Sequence, residues 1–120
     1  MTPRRSGAPR IHLGMSESDL DYHIRAWSRD MGLRAIHHRI SIGAESGWPD
    51  WVIIGPHGVL FREGKGARGR ISDAQREVIG ELQRHGLDAG YWFPANAADG
   101  SVKAELLAVS WMAGRTSLMG

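Results

Sequence analysis

Two acids and one lysine in the middle of the chain, Asp50, Glu63 and Lys65, are of the types that could hydrolyse a phosphate ester. Carboxylate oxygens bind hard divalent cations such as Mg²⁺. A bound cation can activate water and stabilise charge on a phosphate, and an ammonium group beside it can assist. This chemistry requires a fold that brings the three side chains together.

A β-hairpin is predicted to do so. Two runs rich in β-branched and aromatic residues lie on either side of a glycine- and proline-containing turn at residues 55–58. If Ile54 pairs with Val59, the same register places Asp50 opposite Glu63. Directly opposed residues have Cβ atoms about 4.5–5.5 Å apart, so both carboxylates could reach one cation.

The lysine is predicted to lie beside them. Side chains alternate along a strand, so Lys65 shares the face of Glu63, whereas Arg62 and Gly64 face the other side. Only two of the 15 basic residues are lysines, and one of them is Lys65. Because lysine is a compact charge whose pKa can shift, its use here indicates that an ammonium group is needed.

Each motif also has an ordinary structural explanation. An Asp that follows Pro often begins a strand, and Glu-x-Lys is common on the solvated face of an edge strand. The hairpin is therefore most informative in its wider context. Residues 47–50 read Gly-Trp-Pro-Asp, residues 63–65 read Glu-Gly-Lys, a Gly-Arg loop follows, and Ser-Asp-Ala-Gln at residues 72–75 opens a helix that ends near Gly86.

This order of motifs resembles the VRR-NUC branch of the PD-(D/E)XK nuclease superfamily, from about residue 16 to residue 94. The resemblance implies an α/β fold with a restriction-endonuclease-like core, in which helices flank a central mixed β-sheet. It implies a metal-dependent DNA endonuclease. Small members of the family are similar to Holliday-junction resolvases and act as dimers, so branched DNA is the expected substrate.

Carried over residue by residue, the resemblance also implies roles in the site. Asp50 and Glu63 would bind Mg²⁺ or Mn²⁺ with the backbone carbonyl of Gly64, and Lys65 would help to position or deprotonate the attacking water. Gln75 would be the counterpart of the glutamine of the following helix. Glu17 would be the acid of the first helix, and it would hold the ion through water or support a second ion. Gly64 departs from the pattern, because an apolar residue is commoner there, and glycine weakens a strand.

The predicted elements agree with an α/β fold. Helical and strand periodicities give the order helix, three strands, helix, strand, helix. We expect them near residues 16–31, 34–42, 50–54, 59–65, 72–86 and 87–93, with a last helix that is capped by Asp99 or Ser101 and continues to Met112.

Several polar residues have competing explanations. Glu17 is at the head of the apolar stripe of the first helix, yet an acid in the first turn also suits the helix dipole. Gln75 fits a capping box with Ser72, and this role can coexist with one in the site. His37 and His38 must point to opposite faces of their strand, so one of them could approach the site, although a strand histidine is more often structural.

The first residues are predicted to form a basic arm. Residues 1–14 contain Arg4, Arg5 and Arg10 and little apolar periodicity, which indicates a flexible segment ahead of a single domain at residues 15–120. The arm could contact DNA phosphates, or it could be no more than a disordered terminus.

A second basic segment follows the hairpin. Residues 66–70 form a glycine-rich loop that carries Arg68 and Arg70 next to the predicted site. Arginine pairs bidentately with phosphate oxygens, so this loop could hold DNA. It could equally be a solvated linker.

Composition excludes several other classes. A chain of 120 residues is enough for one domain, and the absence of cysteine excludes disulfides, thiolate catalysis and cysteine-based zinc sites. No run approaches 18 apolar residues and no secretory signal is present, so we expect a protein without a membrane span, in the cytoplasm. The net charge of +2 permits an acidic partner.

The last helix is the predicted subunit interface. Its apolar residues spread around more of its circumference than one packing face requires. A homodimer anchored by Leu107 and Trp111 would supply two sites for two strands. The alternative is that this helix packs on its own sheet. Two further hypotheses for the whole chain are a catalytically silent nucleic-acid-binding module and a purely structural protein.

Overall fold

The computed structural model describes residues 7–38 and 46–113. The elements are, in chain order, α1 (Glu17–Asp30), β1 (Arg34–His37), β2 (Trp51–Gly55), β3 (Gly58–Gly64), α2 (Asp73–Arg84), β4 (Asp88–Trp92), α3 (Pro94–Ala98) and α4 (Ser101–Val109). This is the predicted order with one additional short helix, α3. Within the described residues, every helix is too short or too polar to cross a membrane.

The four strands form one mixed sheet in the order β1-β2-β3-β4. The pairs β1–β2 and β2–β3 are antiparallel, and β3–β4 is parallel. In the hairpin Ile54 pairs with Val59 and Gly55 with Gly58, which confirms the predicted register. The α/β prediction, with a central mixed sheet flanked by helices, is also confirmed.

The two faces of the sheet have different environments. Trp51, Ile53 and Leu60 lie on one face, which we call the core face, and they are fully buried against α1 and α4. The other face, which we call the α2 face, carries Phe61 and Glu63 because side chains alternate along β3. The helices thus approach the end of the hairpin from two sides.

Helix α1 forms as its sequence predicts. The Ser16 hydroxyl accepts a hydrogen bond from the backbone N–H of Asp19 at 3.1 Å, so Ser16 is the N-cap. Leu20 and Ile24 are completely buried and fix the helix to the core. Gly32 adopts φ +70° just after the helix, a conformation that favours glycine.

A buried arginine joins β3 to its neighbours on the core face. Arg62 pairs with Asp88 at 2.8 Å and with Glu105 of α4 at 3.0 Å, and its guanidinium lies 5.5 Å from the ring centroid of Trp92. A buried charge destabilises a fold unless it is paired, and the two acids together provide this pairing. Arg62 therefore stabilises the end of the strand that carries Glu63.

Two predicted boundaries were wrong. The last helix ends at Val109 and not at Met112, because Ser110 is extended and its hydroxyl accepts a hydrogen bond from the Met112 N–H at 3.0 Å. The N-cap of this helix is Gly100, at φ +88°, although the Asp99 carboxylate accepts the Ser101 N–H at 2.8 Å.

Strands β1 and β4 are shorter than predicted. Strand β1 ends at His37, and predicted strand residues 39–42 lie outside the described residues. Strand β4 ends before Pro94, which begins α3 at a position where proline needs no hydrogen-bond partner.

Candidate active site and metal centre

A cleft of about 330 Å³ opens at the end of the hairpin, between the start of α1 and the start of α2. Its walls contain all five side chains that sequence analysis assigned to catalysis, together with three others. The lining residues are Glu17, Asp21, His37, His38, Asp50, Glu63, Lys65 and Gln75.

Asp50 is fixed at the entrance to β2. It follows Pro49, and its carboxylate Oδ1 accepts the backbone N–H of Gly64 at 2.8 Å. Its own N–H donates to Glu63 Oε1 at 3.2 Å. The predicted opposition of Asp50 and Glu63 is therefore present, with backbone hydrogen bonds that hold both side chains in place.

Glu63 is oriented by two further donors. Gln75 Nε2 donates to its Oε2 at 3.0 Å, and Lys65 Nζ lies 3.4 Å from the same oxygen. The Gln75 Oε1 atom meanwhile accepts the Ser72 N–H at 2.9 Å, and Ser72 Oγ accepts the Gln75 N–H at 3.1 Å. Gln75 thus caps α2 and holds Glu63 at the same time, which joins its two predicted roles.

The two acids are held in an environment that disfavours their charged forms. Burial raises the pKa of Asp50 to about 7, with a contribution from the nearby carboxylates of Asp21 and Glu17 and against the lowering effect of the Gly64 N–H. Burial and the charge of Asp50 raise the pKa of Glu63 to about 7, and the ammonium group of Lys65 opposes this effect. A cation between the acids would relieve both desolvation and repulsion. Strongly raised pKa values in a cleft are typical of functional sites.

Close backbone approaches fix Lys65 beside Glu63. A Cβ atom at Gly69 would lie 3.0 Å from the Lys65 Cδ atom, so the loop packs directly on the lysine stem. A Cβ atom at Gly66 would collide with the backbone nitrogen of Glu17. Glycine at these positions lets the loop and the start of α1 close one side of the cleft.

Sequence analysis missed Asp21 and left His37 and His38 unresolved. His37 Nε2 lies 3.4 Å from Asp50 Oδ2 and 3.5 Å from Asp21 Oδ2. Trp51 Nε1 donates to Asp21 Oδ1 at 3.1 Å. A signal for Asp21 existed, because it is four residues after Glu17 and so shares its helix face.

The fold has a counterpart among solved structures. A structure described as "VRR_NUC domain protein" is similar, with a TM-score of 0.58 and 22% sequence identity over 81% of this chain and 92% of that one. The chain has the VRR-NUC fold. No family model matches the sequence, and no curated protein matches it significantly. The similarity between the two proteins is therefore one of fold, because a sequence identity of 22% is too low to reveal it.

Within the VRR-NUC fold, the other predicted residues that the structure describes are exposed. Glu17 is exposed, not buried on the apolar stripe as its spacing suggested, while Asp21 is only partly exposed. Arg68 and Arg70 are exposed in the loop, and so is Arg10. Arg4 and Arg5 lie outside the described residues. Part of the predicted arm is held on α1, since His23 Nε2 is 2.8 Å from the carbonyl oxygen of Pro9.

Gly64, the departure from the VRR-NUC pattern, is not required by steric crowding. A Cβ atom there would contact Trp51 at 3.5 Å and Asp21 at 3.7 Å, both ordinary van der Waals distances. The backbone N–H of Gly64 nevertheless holds Asp50. The site therefore keeps its rigidity through this hydrogen bond.

The raised pKa values predict how stability depends on pH. Because the folded protein binds more protons than the unfolded chain between about pH 4 and 7, stability in EDTA should fall as pH rises through this range. Asp50→Asn should remove part of this loss of stability, because asparagine does not ionise. One pKa unit corresponds to about 1.4 kcal/mol. At pH 8 the variant should therefore unfold about 4–8 °C above the unmodified protein for each unit removed. Calorimetry at pH 5 and pH 8 tests this, and a stability difference that does not change with pH would contradict it.

Proposed function

We propose that the protein is a nuclease of the VRR-NUC family that uses a divalent metal ion to hydrolyse phosphodiester bonds in DNA. One observation supports this above all. Asp50 and Glu63 are opposed and buried in a cleft, with the Lys65 ammonium 3.4 Å from Glu63, on a VRR-NUC fold. Two acids and a lysine in this arrangement suit phosphate chemistry better than a structural role, because their burial destabilises the fold.

The donor set fits Mg²⁺ or Mn²⁺. The Asp50 and Glu63 oxygens are hard ligands, and both acids have pKa values raised by burial, which a cation would offset. We propose that these two carboxylates hold the ion with the Gly64 carbonyl, and that Glu17 acts through water from the rim. When bound, the ion would act as a Lewis acid toward a phosphate oxygen and promote deprotonation of water.

The protein's own groups perform the remaining tasks. Gln75 fixes the rotamer of Glu63 by a hydrogen bond of 3.0 Å, so the carboxylate is preorganised. Lys65 is half-buried, with its ammonium directed into the cleft. From there it can orient the attacking water, accept its proton when deprotonated, or neutralise a phosphate oxygen.

The DNA backbone is proposed to follow the exposed basic residues beside the cleft. Arg68 and Arg70 flank Gly69, which packs on the stem of Lys65, so both arginines extend from the same loop as the site. Arg4, Arg5 and Arg10 are proposed to add contacts from the arm. These contacts would position DNA without reading its sequence.

We predict that Arg68→Ala combined with Arg70→Ala weakens DNA binding on every substrate and flattens its dependence on salt. With fewer phosphate contacts, binding releases fewer counterions, so the slope of log affinity against log salt should decrease in magnitude by about 1–2. Fluorescence anisotropy at 50 and 200 mM salt measures this. The matched control is Arg84→Ala, which removes an exposed arginine at the end of α2. An unchanged slope would place the DNA elsewhere.

We further propose branched DNA as the substrate and a homodimer as the active form. Two strands of a junction require two sites, and a two-fold dimer supplies them. Leu107 is half-buried, and Trp111 is 53% exposed, so both can contact a partner. Val102, Leu106 and Val109 of α4 pack in the protein's own core, as the alternative interpretation held. Light scattering with and without junction DNA would measure the assembly.

The decisive experiment is cleavage of a DNA panel with and without metal. Labelled duplex, flap, splayed-arm and four-way-junction DNAs are incubated with the protein in EDTA, Mg²⁺ or Mn²⁺. We expect metal-dependent cleavage, with four-way junctions or other branched DNAs preferred. Binding without cleavage under any metal condition would support the catalytically silent module instead.

A further inference from the structure

The acids of the cleft approach Asp50 from two sides of the sheet. Glu63, held by Gln75, reaches it from the α2 face, whereas His37, paired with Asp21, reaches it from the core face. The two carboxylate oxygens of Asp50 have different partners. Oδ1 accepts the Gly64 N–H at 2.8 Å, and Oδ2 lies 3.4 Å from His37 Nε2. The proposed nuclease mechanism uses the first side and leaves the second unexplained.

We infer that Asp21, His37 and Asp50 form a second metal site, which shares Asp50 with the proposed nuclease site and binds a divalent transition-metal ion such as Mn²⁺ in preference to Mg²⁺. One ligand atom from each residue lies within 4.8 Å of the other two. Ligand atoms around an ion at about 2.0–2.2 Å are themselves about 3–4 Å apart. Small side-chain movements would therefore complete the coordination.

The imidazole is held in a ligating orientation. His37 pairs with Trp51 across β1 and β2, and their rings stack at 4.1 Å with an angle of 12°. The same indole donates its N–H to Asp21 Oδ1 at 3.1 Å, which leaves Asp21 Oδ2 directed at His37. Trp51 thus orients two of the three proposed ligands, as residues in contact with the ligands do in metalloproteins.

The ligand types determine which ion is preferred. An imidazole nitrogen suits first-row transition ions, whereas Mg²⁺ prefers oxygen ligands and retains much of its water. A set of one nitrogen and two carboxylates therefore favours Mn²⁺ over Mg²⁺ on this side of Asp50. Ion binding at this site does not depend on the proposed nuclease function. Only the use of the ion in cleavage rests on that function.

The test measures ion binding directly. Mn²⁺ binding is followed by the loss of the free-ion signal in electron paramagnetic resonance, and Mg²⁺ binding by calorimetry, both on the full chain without DNA. We expect His37→Gln to weaken Mn²⁺ binding at least about tenfold and Mg²⁺ binding less than about threefold. Asp21→Asn should also weaken Mn²⁺ binding. The matched control is His57→Gln, an exposed histidine in the hairpin turn at the far end of β2, which should bind both ions normally.

Two results would overturn the inference. One is unchanged Mn²⁺ binding by a folded His37→Gln variant, as judged by its circular dichroism. The other is an equal loss for both ions, which would give His37 a purely structural role. The inference and the nuclease proposal can fail separately. Histidine-dependent Mn²⁺ binding without DNA cleavage would reject only the nuclease, and cleavage without ion selectivity at His37 would reject only this site.

Discussion

Asp50→Asn and Glu63→Gln should each reduce metal-dependent DNA cleavage by about 10³-fold or more. Each substitution removes a charged oxygen ligand at nearly constant volume, and an ion bound there supplies several kcal/mol of transition-state stabilisation. About 1.4 kcal/mol corresponds to a factor of ten in rate. DNA binding should persist or tighten, since a negative charge near phosphate is removed. Single-turnover cleavage and fluorescence anisotropy separate the two effects.

The matched control for both variants is Glu81→Gln, which neutralises an exposed acid on the outer surface of α2. It should cleave at the unmodified rate. All three proteins should fold, because the ion pairs of Arg62 are on the opposite face of β3 and remain intact. Near-normal cleavage by either Asp50→Asn or Glu63→Gln would show that the metal centre is elsewhere.

Lys65→Ala should reduce cleavage by about 10²–10⁴-fold while metal binding is retained. The ammonium lies 3.4 Å from Glu63 Oε2 and cannot ligate a cation, so its loss affects the attacking water or the phosphate. Lys65→Arg should not restore full activity. The loop is close to the lysine stem, since a Cβ atom at Gly69 would lie 3.0 Å from the Lys65 Cδ atom, and the guanidinium is larger and permanently charged.

Lys103→Ala provides the matched control, since Lys103 is an exposed residue of α4 whose Nζ lies 5.1 Å from the centroid of the Trp27 ring. Calorimetric titration with Mg²⁺ and cleavage rates are measured on the same preparations. A Lys65→Ala protein that cleaves as fast as Lys103→Ala would mean that Glu-x-Lys is only a surface pattern here.

Much of the fold could be predicted because its signals are local. The apolar stripe of α1 and its Ser16 cap, the hairpin register and the capping box of Ser72 and Gln75 each depend on residues close in sequence. The hairpin register alone was enough to place Asp50 opposite Glu63. The position of the main acids could thus be predicted from local sequence, without any contact between residues distant in sequence.

The rest depended on contacts distant in sequence. The partner of His37 is set by how α1 packs on the sheet, which brings Asp21 to within 3.5 Å across 16 positions of sequence. The pairing of Arg62 with Glu105 likewise requires the position of α4. The early end of α4 depends on hydrogen bonds of the Ser110 hydroxyl that hydrophobic periodicity does not encode.

The alternation of side chains along β3 also affects how this protein could evolve. Glu63 faces the cleft and Arg62 faces the core, so a substitution of the acid leaves the neighbouring ion pairs in place. It also removes a carboxylate whose ionisation at neutral pH opposes folding. Mutations that abolish activity would then stabilise the chain, and only selection for activity would retain the acid. Given the proposed nuclease activity, a descendant that keeps the fold and does not cleave DNA would be a single substitution away.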